Sequence, residues 1–252
     1  MSGESVLRIG VLMPEVLGTY GDTGNAMVLA ERAVRRGIAA EVVQVGLSDP
    51  IPSELDLYTL GGGEDAAQSL AAQKFREDPG LSRALEAGRP LLAICASLQV
   101  LGLWYRDARG ERVEGMGVLD ITTDPQGARS IGELVTEPLL EGLSSPLTGF
   151  ENHGGGTLLG PDARPLGRVL AGVGNGCPEG SAPAPVAHDG AVQGSIIATY
   201  MHGPVLARNP ELADLLLARA IGADPAPLDV PGVAELRAER LRDAGAEGGA
   251  VR

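Results

Sequence analysis

Cysteine, aromatic residues and lysine are all scarce in this chain of 252 residues. The two cysteines, Cys95 and Cys177, are too few for a disulfide scaffold, so a reduced-thiol, cytoplasmic protein is expected. Aromatics make up only 3% of the chain, which leaves the core to Leu, Val, Ile and Ala. Lys74 is the single lysine, and the formal net charge is −13. A field of that sign opposes polyanions, so neither a nucleic acid nor an anionic lipid surface is an expected partner. Long apolar runs are missing as well. The N-terminal run is broken by Arg8, Pro14 and Glu15, unlike a secretory signal, and no stretch approaches the ~20 apolar residues of a membrane span. No His/Cys/Asp/Glu grouping has metal-ligand spacing, so no metal site is expected.

What is present is 44% hydrophobic sequence, enough for a substantial core. Val6 to Met13 reads as a strand, followed by the loop LGTYGDTGN and a helical pattern from Ala26 to Arg36. Glu41 to Val45 and Leu55 to Leu60 read as further strands, the second stopping at Gly61-Gly62-Gly63. Helices are expected from Asp65, a possible cap, to Lys74 and from Leu81 to Ala87; a buried strand follows at Pro90 to Ile94, then a helix from Ser97 to Leu103. This alternation predicts an α/β fold, a mostly parallel open sheet flanked by helices. From Arg112 to Tyr200, short runs separated by Gly and Pro predict a smaller antiparallel portion with short strands. A helix from Asn209 to Ala220 closes a domain over residues 1–222. Residues 223–252 read as an appendage with one helix, Val233 to Leu241, and a mobile tail.

Ligands of such sheets collect at the carboxyl ends of the strands, where the Gly61 triplet and Cys95 fall. Cys95 stands in LLAICASLQVLG, where a buried strand turns directly into a helix. Such an elbow exposes one side chain, and the helix N-terminus favours a thiolate and offers free N–H groups to an oxyanion. The bland alternative is a buried cysteine that acts as a small hydrophobe. Cys177, in the loop GVGNGCPEG, reads as structural. A thiolate nucleophile needs a base, and the histidines rank His202, at the end of SIIATYMH, then His153, in a polar turn, then His188, in an exposed loop. The Gly61 triplet lacks the Lys-Ser/Thr ending of a phosphate loop. In YGDTGN, Asp22 and Asn25 read as caps of the following helix.

Five pieces occur in series over about 200 residues: YGDTGN at Tyr20 to Asn25, LGGGEDAAQ at Leu60 to Gln68, LLAICASLQVLG at Leu91 to Gly102, GFENHGGGT at Gly149 to Thr157 and ATYMHGPVLARNPELAD at Ala198 to Asp214. On these the chain resembles the class I glutamine amidotransferases of the cobyric acid synthase type, in the branch that serves lipid II isoglutaminyl synthase. The resemblance implies that Cys95 attacks the amide of L-glutamine, that His202 protonates the departing ammonia, that N–H groups at Gly62 and Ala96 receive the oxyanion, and that Arg129 holds the glutamine α-carboxylate.

Two departures stand out. Where many members of the family have glycines around the nucleophile, this chain has Ala93, Ala96 and Ser97, so a slightly altered turn is expected. Where the family's triad ends in His-x-Glu, His202 is followed by Gly203 and Pro204, and the acid is missing. The resemblance implies that the carboxylate comes from a partner, a Mur-ligase-like synthetase subunit of the MurT type. That partner would carry ATP and magnesium and amidate the D-glutamate of lipid II to D-isoglutamine; no cofactor is expected in this chain. Competing expectations are another acceptor, such as a corrinoid, an amidase or peptidase on the same elbow, and a catalytically silent regulatory subunit.

Overall fold

The computed structural model describes residues 6–18, 20–107 and 109–245. In chain order these form β1 (Leu7–Leu12), α1 (Gly24–Val34), β2 (Ala40–Val45), β3 (Leu57–Leu60), α2 (Asp65–Glu77), α3 (Gly80–Glu86), β4 (Leu91–Ile94) and α4 (Ala96–Leu101). Then come β5 (Trp104–Arg106), β6 (Arg112–Glu114), β7 (Ile121–Pro138), β8 (Leu147–Leu159), β9 (Gly167–Ala171), β10 (His188–Asp189), β11 (Ala191–Gln193) and β12 (Ile196–Thr199), with α5 (Val205–Arg208), α6 (Pro210–Ile221) and α7 (Val233–Asp243) last.

One six-stranded sheet runs β11-β12-β4-β3-β1-β2 and is parallel except for β11 against β12. Every residue of β3, β4 and β12 is buried, which is why β3 and β4 read as largely apolar runs rather than alternating ones; β12, expected among the short antiparallel strands, instead joins this sheet parallel to β4. Because β4 lies between β3 and β12, with Leu60 opposite Ala93 and Thr199 opposite Ile94, three chain segments leave the sheet side by side. They carry the glycine triplet, Cys95 and His202.

The second sheet runs β10-β9-β7-β5-β6, with β8 paired to β7. It is antiparallel except for β5 against β7. The short strands expected here are instead a long pair of 18 and 13 residues. A register shift between Pro125 and Ser130 takes up the prolines and glycines that read as breaks, since an unpaired bulge tolerates both. Gly127 (φ +80°) lies within it. The two sheets are stitched together at His202, which exchanges backbone hydrogen bonds with Phe150 of β8 at 2.8 and 3.2 Å.

Asp65 begins α2 without capping it, as Glu64 holds the cap position and makes no side-chain bond. Helix α7 has no fully buried residue. It is fastened by Arg237, whose guanidinium donates to the carbonyls of Pro146 and Arg208 and to Asn209 Oδ1. The tail that reads as mobile lies outside the described residues from 246 onward. Among the described residues no helix is long and apolar enough to cross a membrane.

Candidate active site

Cys95 adopts φ +51°, ψ −105°, a left-handed conformation that costs a residue with a Cβ about 1–3 kcal/mol and persists only where its surroundings impose it. Here they do. The Cys95 N–H donates to Thr199 O of the neighbouring strand at 2.9 Å, and its carbonyl receives the Gln99 N–H of α4 at 3.3 Å. Ser97 ties the elbow to the glycine turn by donating its hydroxyl to Gly61 O at 2.5 Å. The side chain is 7% exposed and faces a cavity of about 450 Å³ lined also by Gly63, Gln68, Ala96, Arg129 and Asn152. Its sulfur lies 4.0 Å from Asn152 O.

His202 is buried, and its Nδ1 is 2.8 Å from Asp22 Oδ2. Burial pushes the imidazolium down, but the Asp22 hydrogen bond and the nearby Cys95 sulfur outweigh it, so the ring is held up to about 10. A carboxylate at Nδ1 fixes that nitrogen as a donor. Nε2 has no hydrogen-bond partner among the described residues and is free to serve the sulfur and its substrate. Tyr20 meets the ring edge-on, with centroids 4.8 Å apart.

Asp22 therefore corrects two expectations. The carboxylate expected from a partner subunit is supplied by this chain, and Asp22 does not cap α1, whose cap position is Thr23 with no side-chain bond. Asn25 is not a cap either, as its Oδ1 accepts the Leu206 N–H at 3.0 Å. Gly24 leaves room for Pro204, whose Cγ would lie 2.6 Å from a Cβ there. YGDTGN is thus a clip that fastens the loop after β1 onto the segment carrying His202. The available signal was a polar motif at the carboxyl end of a strand in a chain whose histidine lacked its usual acid. A 180-residue separation hid the pairing.

Gly62 also departs from expectation. Its N–H donates to Asp22 Oδ2 at 2.8 Å, and a proton given to a carboxylate is unavailable to an oxyanion. A Cβ on Gly62 would lie 2.6 Å from His202 Cε1, so this glycine makes room for the imidazole. Gly63 and Ala96 line the cavity; Gly62 does not. Arg129 reaches the cavity from the β7 bulge, donating from Nε to Asn152 Oδ1 at 2.5 Å.

His153 is buried on the wall of the same cavity. Its Nδ1 lies 2.9 Å from Gly155 O, its ring stacks on Tyr200 at 3.8 Å, and Nε2 is 3.5 Å from Glu151. Glu151 is itself fixed by the N–H groups of Val173 and Gly174. A polar chain from Gln68 through Gln99, Tyr200 and Thr157 to Thr123 underlies the elbow. His188 and Cys177 lie in neither that chain nor the Cys95 cavity.

A thiol on a strained strand-to-helix turn, beside an acid-paired imidazole at the carboxyl edge of a parallel sheet, is equipment for acyl transfer through a thioester. The class this defines is that of cysteine-dependent amidotransferases. The chain belongs to the CobB/CobQ-like glutamine amidotransferase domain family, which matches residues 8–210, and it is a glutamine amidotransferase. It is 34% identical over 240 residues to the lipid II isoglutaminyl synthase (glutamine-hydrolyzing) subunit GatD of Staphylococcus aureus (strain N315), covering 93% of this chain and 94% of that protein. It is 33% identical over 218 residues to the subunit of the same name from Streptococcus pneumoniae (strain ATCC BAA-255 / R6), covering 85% and 80%. The fold is similar to a crystal structure of glutamine amidotransferase, with a TM-score of 0.53 and 20% identity over 84% of this chain and 98% of that one.

Proposed function

We propose that this chain hydrolyses L-glutamine at Cys95 and delivers the ammonia to a MurT-type, Mur-ligase-like partner in the cytoplasm, which amidates the D-glutamate of lipid II to D-isoglutamine. The observation that carries the hydrolytic half is the Cys95 elbow served by the His202–Asp22 pair. The acceptor half rests on the similarity to the two GatD subunits. ATP and magnesium belong to the partner's half-reaction.

In the first step the Cys95 thiolate attacks the glutamine side-chain carbonyl, and the N–H groups of Gly63 and Ala96 receive the oxyanion. The C–N bond breaks as the amide nitrogen takes the proton from His202 Nε2, and ammonia leaves the glutamyl thioester. Water then attacks that thioester and gives a proton back to Nε2. The C–S bond breaks, glutamate departs, and the thiolate and imidazolium are restored. Asp22 keeps the ring oriented and balances its charge throughout. Arg129 suits the α-carboxylate because a guanidinium offers two parallel donors.

With Asp22 in place, the isolated chain is expected to release ammonia from glutamine without a partner. The test is ammonia release by the chain alone and with the MurT-type subunit, together with labelling by diazo-oxo-norleucine read by mass spectrometry. Labelling confined to Cys95 and lost in Cys95→Ala supports the reading; an unlabelled, inactive protein in both states indicates a silent subunit. Amidation of a lipid II-type peptide by the reconstituted pair with ATP tests the acceptor, and a pair that amidates only a corrinoid carboxylate overturns that half.

A further inference from the structure

Asn152 sits where three parts of the site meet, and the mechanism above gives it no task. Its side-chain Oδ1 accepts Arg129 Nε at 2.5 Å, and its main-chain carbonyl lies 3.3 Å from an Arg129 terminal nitrogen and 4.0 Å from Cys95 Sγ. On the other side its Nδ2 donates to the Tyr20 hydroxyl, and Tyr20 lies edge-on to His202. A continuous line of contacts therefore runs from the guanidinium to the imidazole.

Arg129 needs such a hold. It stands on the β7 bulge, its side chain is exposed, and it has no acidic partner among the described residues. A long, unheld side chain loses rotamer freedom when it binds a ligand, and that loss weakens binding. Asn152 removes part of it beforehand by engaging Nε and leaving the outer edge of the fork for a carboxylate. Its own amide can be placed in either of two orientations. Arg129 Nε, which can only donate, takes Oδ1, and the Tyr20 hydroxyl accepts from Nδ2 and holds the amide in that orientation.

We infer that Asn152, its amide held by Tyr20, is a positioning residue that pre-orients Arg129 toward the substrate α-carboxylate and so selects α-amino-acid amides over amides that lack that group. This rests on the proposed glutamine hydrolysis and on Arg129 as the carboxylate holder. The selectivity belongs to the Arg129–Asn152–Tyr20 line rather than to Arg129 alone.

The experiment compares L-glutamine with 4-aminobutanamide, the same molecule without the α-carboxylate, on the full chain and on Asn152→Ala, Asn152→Asp and Tyr20→Phe. Asn152→Ala is expected to raise KM for glutamine roughly tenfold, the scale of one lost hydrogen bond to a charged group, with a smaller change in kcat. Preference for glutamine over 4-aminobutanamide falls by the same factor. Asn152→Asp keeps an acceptor for Arg129 Nε and restores most of that preference. Tyr20→Phe keeps the ring against His202 but frees the amide, and it lowers the preference by a smaller factor. Unchanged melting temperatures and retained labelling of Cys95 establish that the variants are folded. Should Asn152→Ala fail to fold, Tyr20→Phe, altered at a residue that is 45% exposed, decides the matter. Equal losses on both amides, or an unchanged glutamine KM in the folded variants, overturn the inference while ammonia release by wild type leaves the proposed function standing. A wild-type chain that releases no ammonia removes both.

Discussion

Replacing Asp22 by Asn changes one oxygen for a nitrogen in a group that is 1% exposed and touches both His202 and Gly62. Both bonds fall on the one oxygen Oδ2, so the asparagine keeps its amide oxygen there, because an Nδ2 in that place would face the Gly62 N–H with no acceptor. Nδ1 then still donates, but to a neutral amide that no longer balances the charge of the imidazolium. Burial, which pushes the imidazolium down, is then opposed only by Cys95 and one neutral hydrogen bond. In serine triads the corresponding exchange costs about 10⁴ in kcat. Here the proton goes to a leaving amine from a ring that a thiolate also stabilises, and we expect a loss of about 10²–10³, or roughly 3–4 kcal/mol of transition-state stabilisation. The alkaline limb of the rate profile, which the raised His202 places near 10, moves to lower pH. Ammonia release followed from pH 6 upward, with and without the MurT-type subunit, measures both effects. Wild-type rates and an unmoved limb in Asp22→Asn would refute the assignment. Rescue of that variant by the partner would return the third carboxylate to the partner subunit.

Gly62→Ala is expected to fold and to lose about a hundredfold in kcat, since a Cβ 2.6 Å from His202 Cε1 displaces an imidazole whose placement the chemistry needs to within about an ångström. Steady-state kinetics beside an unchanged circular dichroism spectrum check this. Glu211 gives a pH-dependent stability prediction. Burial raises its carboxyl, but hydrogen bonds from the hydroxyl and N–H of Ser145 and of Ser144 outweigh it and bring it down to about 2. A carboxyl lowered by folding adds stability that is present above about 4.5 and lost as pH falls toward 2. Wild type should therefore exceed Glu211→Gln in urea midpoint at neutral pH, and the gap should close across that window. A gap that persists unchanged at pH 2 contradicts it.

The sequence determined the elements whose burial is all or nothing. β3 and β4 are buried along their whole length, so their apolar runs were legible, and so were the parallel sheet and a cysteine at a strand-to-helix turn; β12, equally buried, reads from local pattern as one of the antiparallel strands although it pairs parallel with β4. Periodicity could not show that Gly and Pro between 125 and 132 sit inside one long bulged strand, because a bulge and a loop share the same residues. Nor could it pair Asp22 with His202. A carboxylate and an imidazole 180 residues apart meet only because β1, β3, β4 and β12 pack as neighbours and leave their carboxyl ends on one edge. Composition and local pattern thus supplied the nucleophile, while tertiary structure chose its acid, turned Gly62 from an oxyanion donor into a tether for Asp22, and made YGDTGN a clip. Contacts that close across the sheet edge leave no local periodicity in the chain that makes them.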